Sequence, residues 1–160
     1  MKYKLPDSLY TPQSIHQVLA ELVAQRVWMQ HEQIKTQVIG SSGELSTTPV
    51  VSKWTSELIK VNNLSTPEAI DEISAELTTL LDKAPRIHFT FAAPPLELTK
   101  IRFVDWVRTE LHPNALVEFD FYSGILGGVV VRTGSHTLDW SFRMQLLAAR
   151  GRFAEVLRNV

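Results

Sequence analysis

The chain has 160 residues, 44% apolar and 21% charged, with 16 Lys and Arg against 17 Asp and Glu. This composition argues against wholesale disorder, and the length allows one ordinary domain or two small ones. A net charge of −1 argues against broad phosphate binding, and the absence of Cys excludes a disulfide framework or a thiolate metal site.

No segment approaches the roughly 18 continuous apolar residues of a membrane-spanning helix. The opening MKYKLPDSLY has no apolar core and no Arg-rich character. Neither a secretory signal nor an organellar presequence is therefore expected.

Three Thr-Pro pairs, Thr11-Pro12, Thr48-Pro49 and Thr66-Pro67, punctuate the first half. Threonine offers an N-cap oxygen, and proline at the first helical position loses no useful donor, so each pair predicts a helix start. The first helix is predicted from Pro12 to about Val38, with Ile15, Val18, Leu19, Leu22 and Val23 at spacings of three and four, extended by Val27 and Ile34. Gly40 to Thr47 reads as a loop. A second helix, Pro49 to Asn62, places Val51, Trp54, Leu58 and Val61 on one face. A third, Pro67 to Lys83, carries Ile70, Ile73, Leu77, Leu80 and Leu81 inward. Its acids, Glu68, Asp71, Glu72, Glu76 and Asp82, meet no local base before Lys83. They read as a solvated face or as a docking face for a basic partner.

After Ala84-Pro85 the period changes to two. Ile87–Ala92 is predicted as a half-buried strand. Leu96–Leu111 is predicted as a helix with Leu98, Ile101, Val104, Val107 and Leu111 inward and Phe103 and Trp106 off that stripe. Leu116–Tyr122, Val129–Thr133 and His136–Trp140 follow as strands, with Val117, Phe119 and Phe121 sharing a face. Ser141 is expected to cap a final helix whose stripe is Phe142, Leu146, Ala149, Phe153, Val156 and Leu157. Its other face carries Arg143, Arg150, Arg152 and Arg158 against Glu155. The expected fold is α+β: a small amino-terminal helical bundle over 1–84, then a β-α-β-β-β-α domain over 85–160.

Catalytic readings find little support. The histidines, His16, His31, His88, His112 and His136, are scattered singly and lack metal-ligand spacing. Ser141, His136 and Asp139 offer the side chains of a hydrolase triad, but helix capping is the simpler use of Ser141. Gly124-Ile-Leu-Gly127 has the spacing of a nucleic-acid clamp loop, yet strands flank it and it holds no base. Gly127-Gly128 precedes a strand instead of a helix, a poor dinucleotide cradle. Close packing between strands explains these glycines better. No metal and no cofactor is expected.

The order of pieces in the second half carries more information. Ala92-Ala93-Pro94-Pro95-Leu96 is followed by Asp120, then Ile125-Leu126-Gly127-Gly128-Val129-Val130-Val131-Arg132. After Gly134 come Asp139-Trp140-Ser141, Arg143 and Leu146. This collinear series resembles the carboxyl-terminal domain of the F-type ATP synthase delta subunit, the oligomycin-sensitivity-conferring protein of mitochondria. Two departures stand out: the amino-terminal half is shorter than that family's helical domain, and Trp140 replaces the glycine of its usual Asp-Gly-Ser.

The resemblance implies a non-catalytic peripheral-stalk subunit that resists rotor torque. Its partners would be the amino-terminal segments of the alpha subunits and the carboxyl-terminal helices of the b subunits. Val18, Leu22 and Val23 would serve the alpha contact, and Arg143, Leu146, Arg150 and Phe153 the b contact. Gly127, Gly128, Arg132, Asp139 and Ser141 would be structural. The protein would bind no nucleic acid and would be cytoplasmic, held at the inner face of a bacterial membrane only through b. The competing expectations are a small α+β RNA-binding or ribosome-associated protein, and a hydrolase using Ser141.

Overall fold

The structure, a computed structural model, describes residues 2–39 and 48–149. The Gly/Ser/Thr-rich run at 40–47 and the positions of Arg150, Arg152, Phe153, Val156, Leu157 and Arg158 lie outside the described residues. The fold is α+β, with helices followed by a four-stranded mixed sheet. The chain divides into two compact units, Met1–Ala84 and Pro85–Val160. No helix among the described residues is long and apolar enough to cross a membrane.

The first unit holds α1 (Pro12–Ile39), α2 (Lys53–Asn62) and α3 (Pro67–Lys83). Thr11 Oγ1 accepts the Ser14 N–H at 3.1 Å, and Thr66 Oγ1 accepts that of Ala69 at 3.3 Å, so two of the three Thr-Pro pairs start helices. The third does not. Helix α2 begins at Lys53, and its N-cap is Ser52, whose side chain accepts the Thr55 N–H. A tertiary contact moves the start: Glu21 on α1 accepts the Ser52 N–H at 2.7 Å and the Thr55 hydroxyl at 2.6 Å. At the other end Asn63 adopts φ 54° and closes α2.

Ile15, Val18 and Leu22 meet Leu58 of α2 and Ile70, Ile73 and Leu77 of α3 in a buried core. Each such side chain contributes about 1.5–3 kcal/mol when fully removed from water. Val61, expected inward, is exposed. The acidic face of α3 is engaged by residues distant in sequence. Lys2 and Tyr3 donate to Glu72 and Glu76, and Arg26 Nε lies 2.9 Å from Asp71.

The second unit runs β1 (Arg86–Phe91), α4 (Glu97–Glu110), β2 (Leu116–Phe121), β3 (Gly128–Thr133) and β4 (His136–Ser141), then a helix over 142–149. The sheet order is β2-β1-β3-β4. Strands β1 and β2 are parallel, as a helical crossover requires, while β3 and β4 form an antiparallel hairpin. Register places Ile87, Phe89 and Phe91 beside Val117, Phe119 and Phe121 on one face.

Helix α4 covers that face, but on a different stripe from the one expected. Val104 and Val107 are buried, whereas Leu98, Ile101 and Leu111 are exposed. Phe103 turns inward instead, with its ring 5.0 Å from Phe89 and 5.4 Å from Phe91. Phe89 also stacks on Phe119 at 5.6 Å. Four aromatic rings offer more buried area than the aliphatic stripe, and they set the helix rotation.

Candidate protein-docking surfaces

Helix α1 is apolar on two sides. Its inner side enters the core. On the outer side Ala20, Val23, Val27 and Ile34 recur at spacings of three, four and seven, with Ala24 beside them. Val23 is 58% exposed and Ile34 57%. No Lys, Arg, Asp or Glu interrupts this row, so its desolvation carries no ionic cost. Spacings of three, four and seven suit packing against another helix.

The residues expected to serve the alpha contact fall on different sides of this helix. Val18 and Leu22 are fully buried within the first unit and cannot meet a partner while it is folded. Val23 remains available. The exposed row continues through Val27 and Ile34, expected as an extension of the inner stripe.

In the second unit, tight backbone geometry positions a second apolar surface. Gly127 and Gly128 have φ of 142° and 89°, values that L side chains rarely adopt. A Cβ at Gly128 would strike the Trp140 carbonyl oxygen and lie 2.9 Å from the Ser141 Cα; one at Gly127 would strike the Phe142 ring. The Phe142 N–H donates to the Gly127 carbonyl at 2.9 Å. The glycine pair thus lets the β2–β3 loop close against the start of the terminal helix. Leu126, Phe142, Gln145, Leu146 and Ala149 line a groove of about 400 Å³ there.

Along the helix over 142–149, Phe142 is 53% and Leu146 47% exposed, and Met144 and Leu147 are comparably exposed. Leu138 and Trp140 add exposed apolar side chains on β4. Of the expected b-contact residues, Leu146 lines the groove, whereas Arg143 is exposed and lines a separate, polar pocket with Arg132, Asp139 and Ser141. Arg150 and Phe153 lie outside the described residues. Met144 and Leu147 lie off the single stripe that the helical period predicts, and Leu126 is on the β2–β3 loop, where no period marks a side chain as exposed.

Ser141 is the last residue of β4 and directly precedes the helical residues that begin at 142, the position expected of an N-cap. Its N–H donates to Asp139 Oδ1 at 2.9 Å. A hydrogen bond from its hydroxyl, that backbone bond and the nearby Arg143 together hold the Asp139 carboxyl below its usual range. His136 sits five residues back along the extended strand, roughly 17 Å away at ~3.3 Å per residue and on the opposite sheet face. Ser141, His136 and Asp139 therefore do not assemble as a triad.

The sheet face opposite α4 is polar and mixed in sign. Glu118, His88, Arg132 and Thr137 form one cross-strand row, with His88 Nδ1 2.8 Å from Glu118. Asp120, Thr90, Val130 and Asp139 form the next. These two rows hold no aromatic platform and no basic surplus, the two features that single-stranded nucleic-acid binding exploits. No group of His, Asp or Glu suited to a metal ion occurs among the described residues. No protein-family model matches the chain, and no curated protein matches it.

Proposed function

We propose that the chain is a peripheral-stalk subunit of an F-type ATP synthase, a linker without an active site of its own. The observation that carries the reading is one exposed, uncharged apolar surface on each unit: the outer row of α1, and the groove beside the terminal helix. A linker needs a grip for each of the proteins it joins. Exposed apolar patches of this kind mark protein contacts more often than chemistry. The collinear series from Ala92 to Leu146 adds independent support through its likeness to the delta-subunit family.

In this reading the α1 row, with Val23, Val27 and Ile34, binds amino-terminal segments of the head's alpha subunits. The groove, with Leu126, Phe142 and Leu146, holds the carboxyl-terminal helices of the b subunits. Joining head to membrane anchor lets the rotor turn against a fixed head, so proton flow drives ATP synthesis instead of spinning the head. Contact with the bacterial membrane runs through b alone.

Tagged protein purified from native membranes tests this. Recovery of alpha, beta and b subunits is the expected result. A preparation that contains none of them overturns the reading. RNA recovered instead, released steeply by salt, would favour the RNA-binding alternative.

A further inference from the structure

Strand β4 forms one edge of the sheet, and every residue from His136 to Trp140 is exposed. The ladder decides which of its backbone groups are free. The Phe142 N–H donates to the Gly127 carbonyl, and bonded pairs alternate along an antiparallel ladder. The register therefore turns the backbone groups of Trp140, Leu138 and His136 toward β3, closed by the two-residue turn Gly134-Ser135 with Gly134 at φ 53°. Those of Thr137, Asp139 and Ser141 point away from the sheet. The Ser141 N–H is already taken by Asp139 Oδ1 at 2.9 Å, so the open edge runs from Thr137 to Asp139.

Unpaired edge groups template another strand, and natural edges are blunted with Lys, Pro or a bulge. Strand β4 reads His-Thr-Leu-Asp-Trp-Ser and pairs without a bulge, so it has none of these devices. We propose that a second copy of this chain occupies the edge, with β4 antiparallel to β4 and Leu138 opposite Leu138 of the second copy across a two-fold axis. The two four-stranded sheets then become one. The inference goes beyond the stator reading, which concerns the α1 row and the groove.

The free groups select this register. Centred on Leu138, Thr137 of one copy and Asp139 of the other exchange both backbone bonds, and no group already in use is needed. Centring on Asp139 would require the Ser141 N–H and would set two carboxylates opposite each other. Centring on Thr137 would set Asp139 against Ser135, inside the turn.

Side chains agree with the same choice. On the polar face the Thr137 hydroxyl stands opposite the Asp139 carboxylate, which accepts up to about four hydrogen bonds. On the other face Leu138 meets its counterpart in a close, non-hydrogen-bonded pair, and Trp140 stands opposite His136. Leu138 and Trp140 are exposed in the single chain and lose water in the pair. The opposite edge lacks this match. Strand β2 carries Glu118 and Asp120 on one face, and self-pairing about its middle opposes acids.

The chain has no Cys, so single cysteines report contacts without background. Leu138→Cys should form a covalent dimer under mild oxidation, because Cα atoms of such a pair lie about 4.5 Å apart, within reach of a disulfide. His136→Cys and Trp140→Cys should each stay uncoupled alone and cross-link when mixed, which fixes the register. Val23→Cys on α1 and Asp120→Cys on β2, both exposed positions, should not cross-link.

Sedimentation of the full chain over a ~hundredfold range of concentration should show its mass rising from one chain toward two. Thr137→Pro should abolish the rise and leave far-UV dichroism unchanged, because the hairpin does not use the outward Thr137 N–H. Leu138→Lys opposes two ammonium groups and should weaken the dimer about tenfold; it serves if Thr137→Pro fails to fold. A chain that stays monomeric throughout overturns the proposal. So does a dimer indifferent to both variants, or one cross-linked through Val23→Cys in place of Leu138→Cys. Leu138→Cys that couples only to a different protein in native membranes gives the edge to a foreign strand and equally overturns the second copy.

Discussion

The Glu21 carboxylate accepts the Thr55 hydroxyl at 2.6 Å, joining two helices across 34 residues of chain. The same oxygen accepts the Ser52 N–H, and Gln17 donates to the other oxygen at 2.9 Å. Burial opposes ionisation of Glu21, but the bonds from Thr55, Ser52 and Gln17 outweigh it and hold the carboxyl down to about 2. This one side chain closes α1 onto α2 and decides where α2 begins.

Because the folded value lies below the ordinary 4.5, the unfolded chain takes up this proton first as pH falls. The contribution is complete above pH 4.5 and is lost as pH drops toward 2. Glu21→Gln should cost about 1–3 kcal/mol at neutral pH, since charge-assisted hydrogen bonds are lost. Urea unfolding should show its deficit against wild type narrowing from pH 4.5 downward. A deficit independent of pH would mean that the carboxylate's charge plays no part.

Gly128→Ala should destabilise more than Gly127→Ala. Both positions have left-handed φ, but the new methyl meets rigid backbone at Gly128 and a movable Phe142 ring at Gly127. The expected cost is about 1–3 kcal/mol for Gly128→Ala, with the smaller loss at Gly127. Thermal unfolding of the two variants gives the order directly.

Phe89→Ala should cost about 3–5 kcal/mol, because a fully buried ring at the centre of the aromatic cluster leaves a cavity. Phe121→Ala, on the same sheet face but exposed, should fall within about 0.5 kcal/mol of wild type. Chemical denaturation distinguishes the two.

Val18→Asp and Val23→Asp should separate folding from binding. Val18 is fully buried, so an unpaired carboxylate there should cost roughly 3 kcal/mol or more. Val23 faces outward, and Val23→Asp should leave far-UV dichroism and melting unchanged while reducing capture of alpha subunits. Undiminished capture by folded Val23→Asp would remove the outer row of α1 from the head contact.

The outcome at particular residues shows what sequence patterns can carry. Thr11 and Thr66 were legible as caps because the oxygen and the N–H it satisfies are three residues apart. Thr48 was not, because the carboxylate that fixes the true cap at Ser52 lies 31 residues upstream on another helix. The rotation of α4 was ambiguous for a related reason. Two candidate stripes share Val104 and Val107, and only the rings of Phe89, Phe91 and Phe119 select the one containing Phe103. Periodicity places Val27 and Ile34 in line with the buried side of α1, yet both are exposed, because α2 and α3 cover only Ile15, Val18 and Leu22.

By itself the sequence determined the α+β class, the order of the elements and most of their boundaries, because period and capping depend on neighbours three or four residues apart. Only the tertiary structure decided which apolar side chains are interior and which are left to bind. Helix α1 offers apolar residues on both sides, and burial of Ile15, Val18 and Leu22 against α2 and α3 consumes one side and leaves the other exposed. Hydrophobicity is a property of each residue, but burial depends on which other segments of the chain reach it.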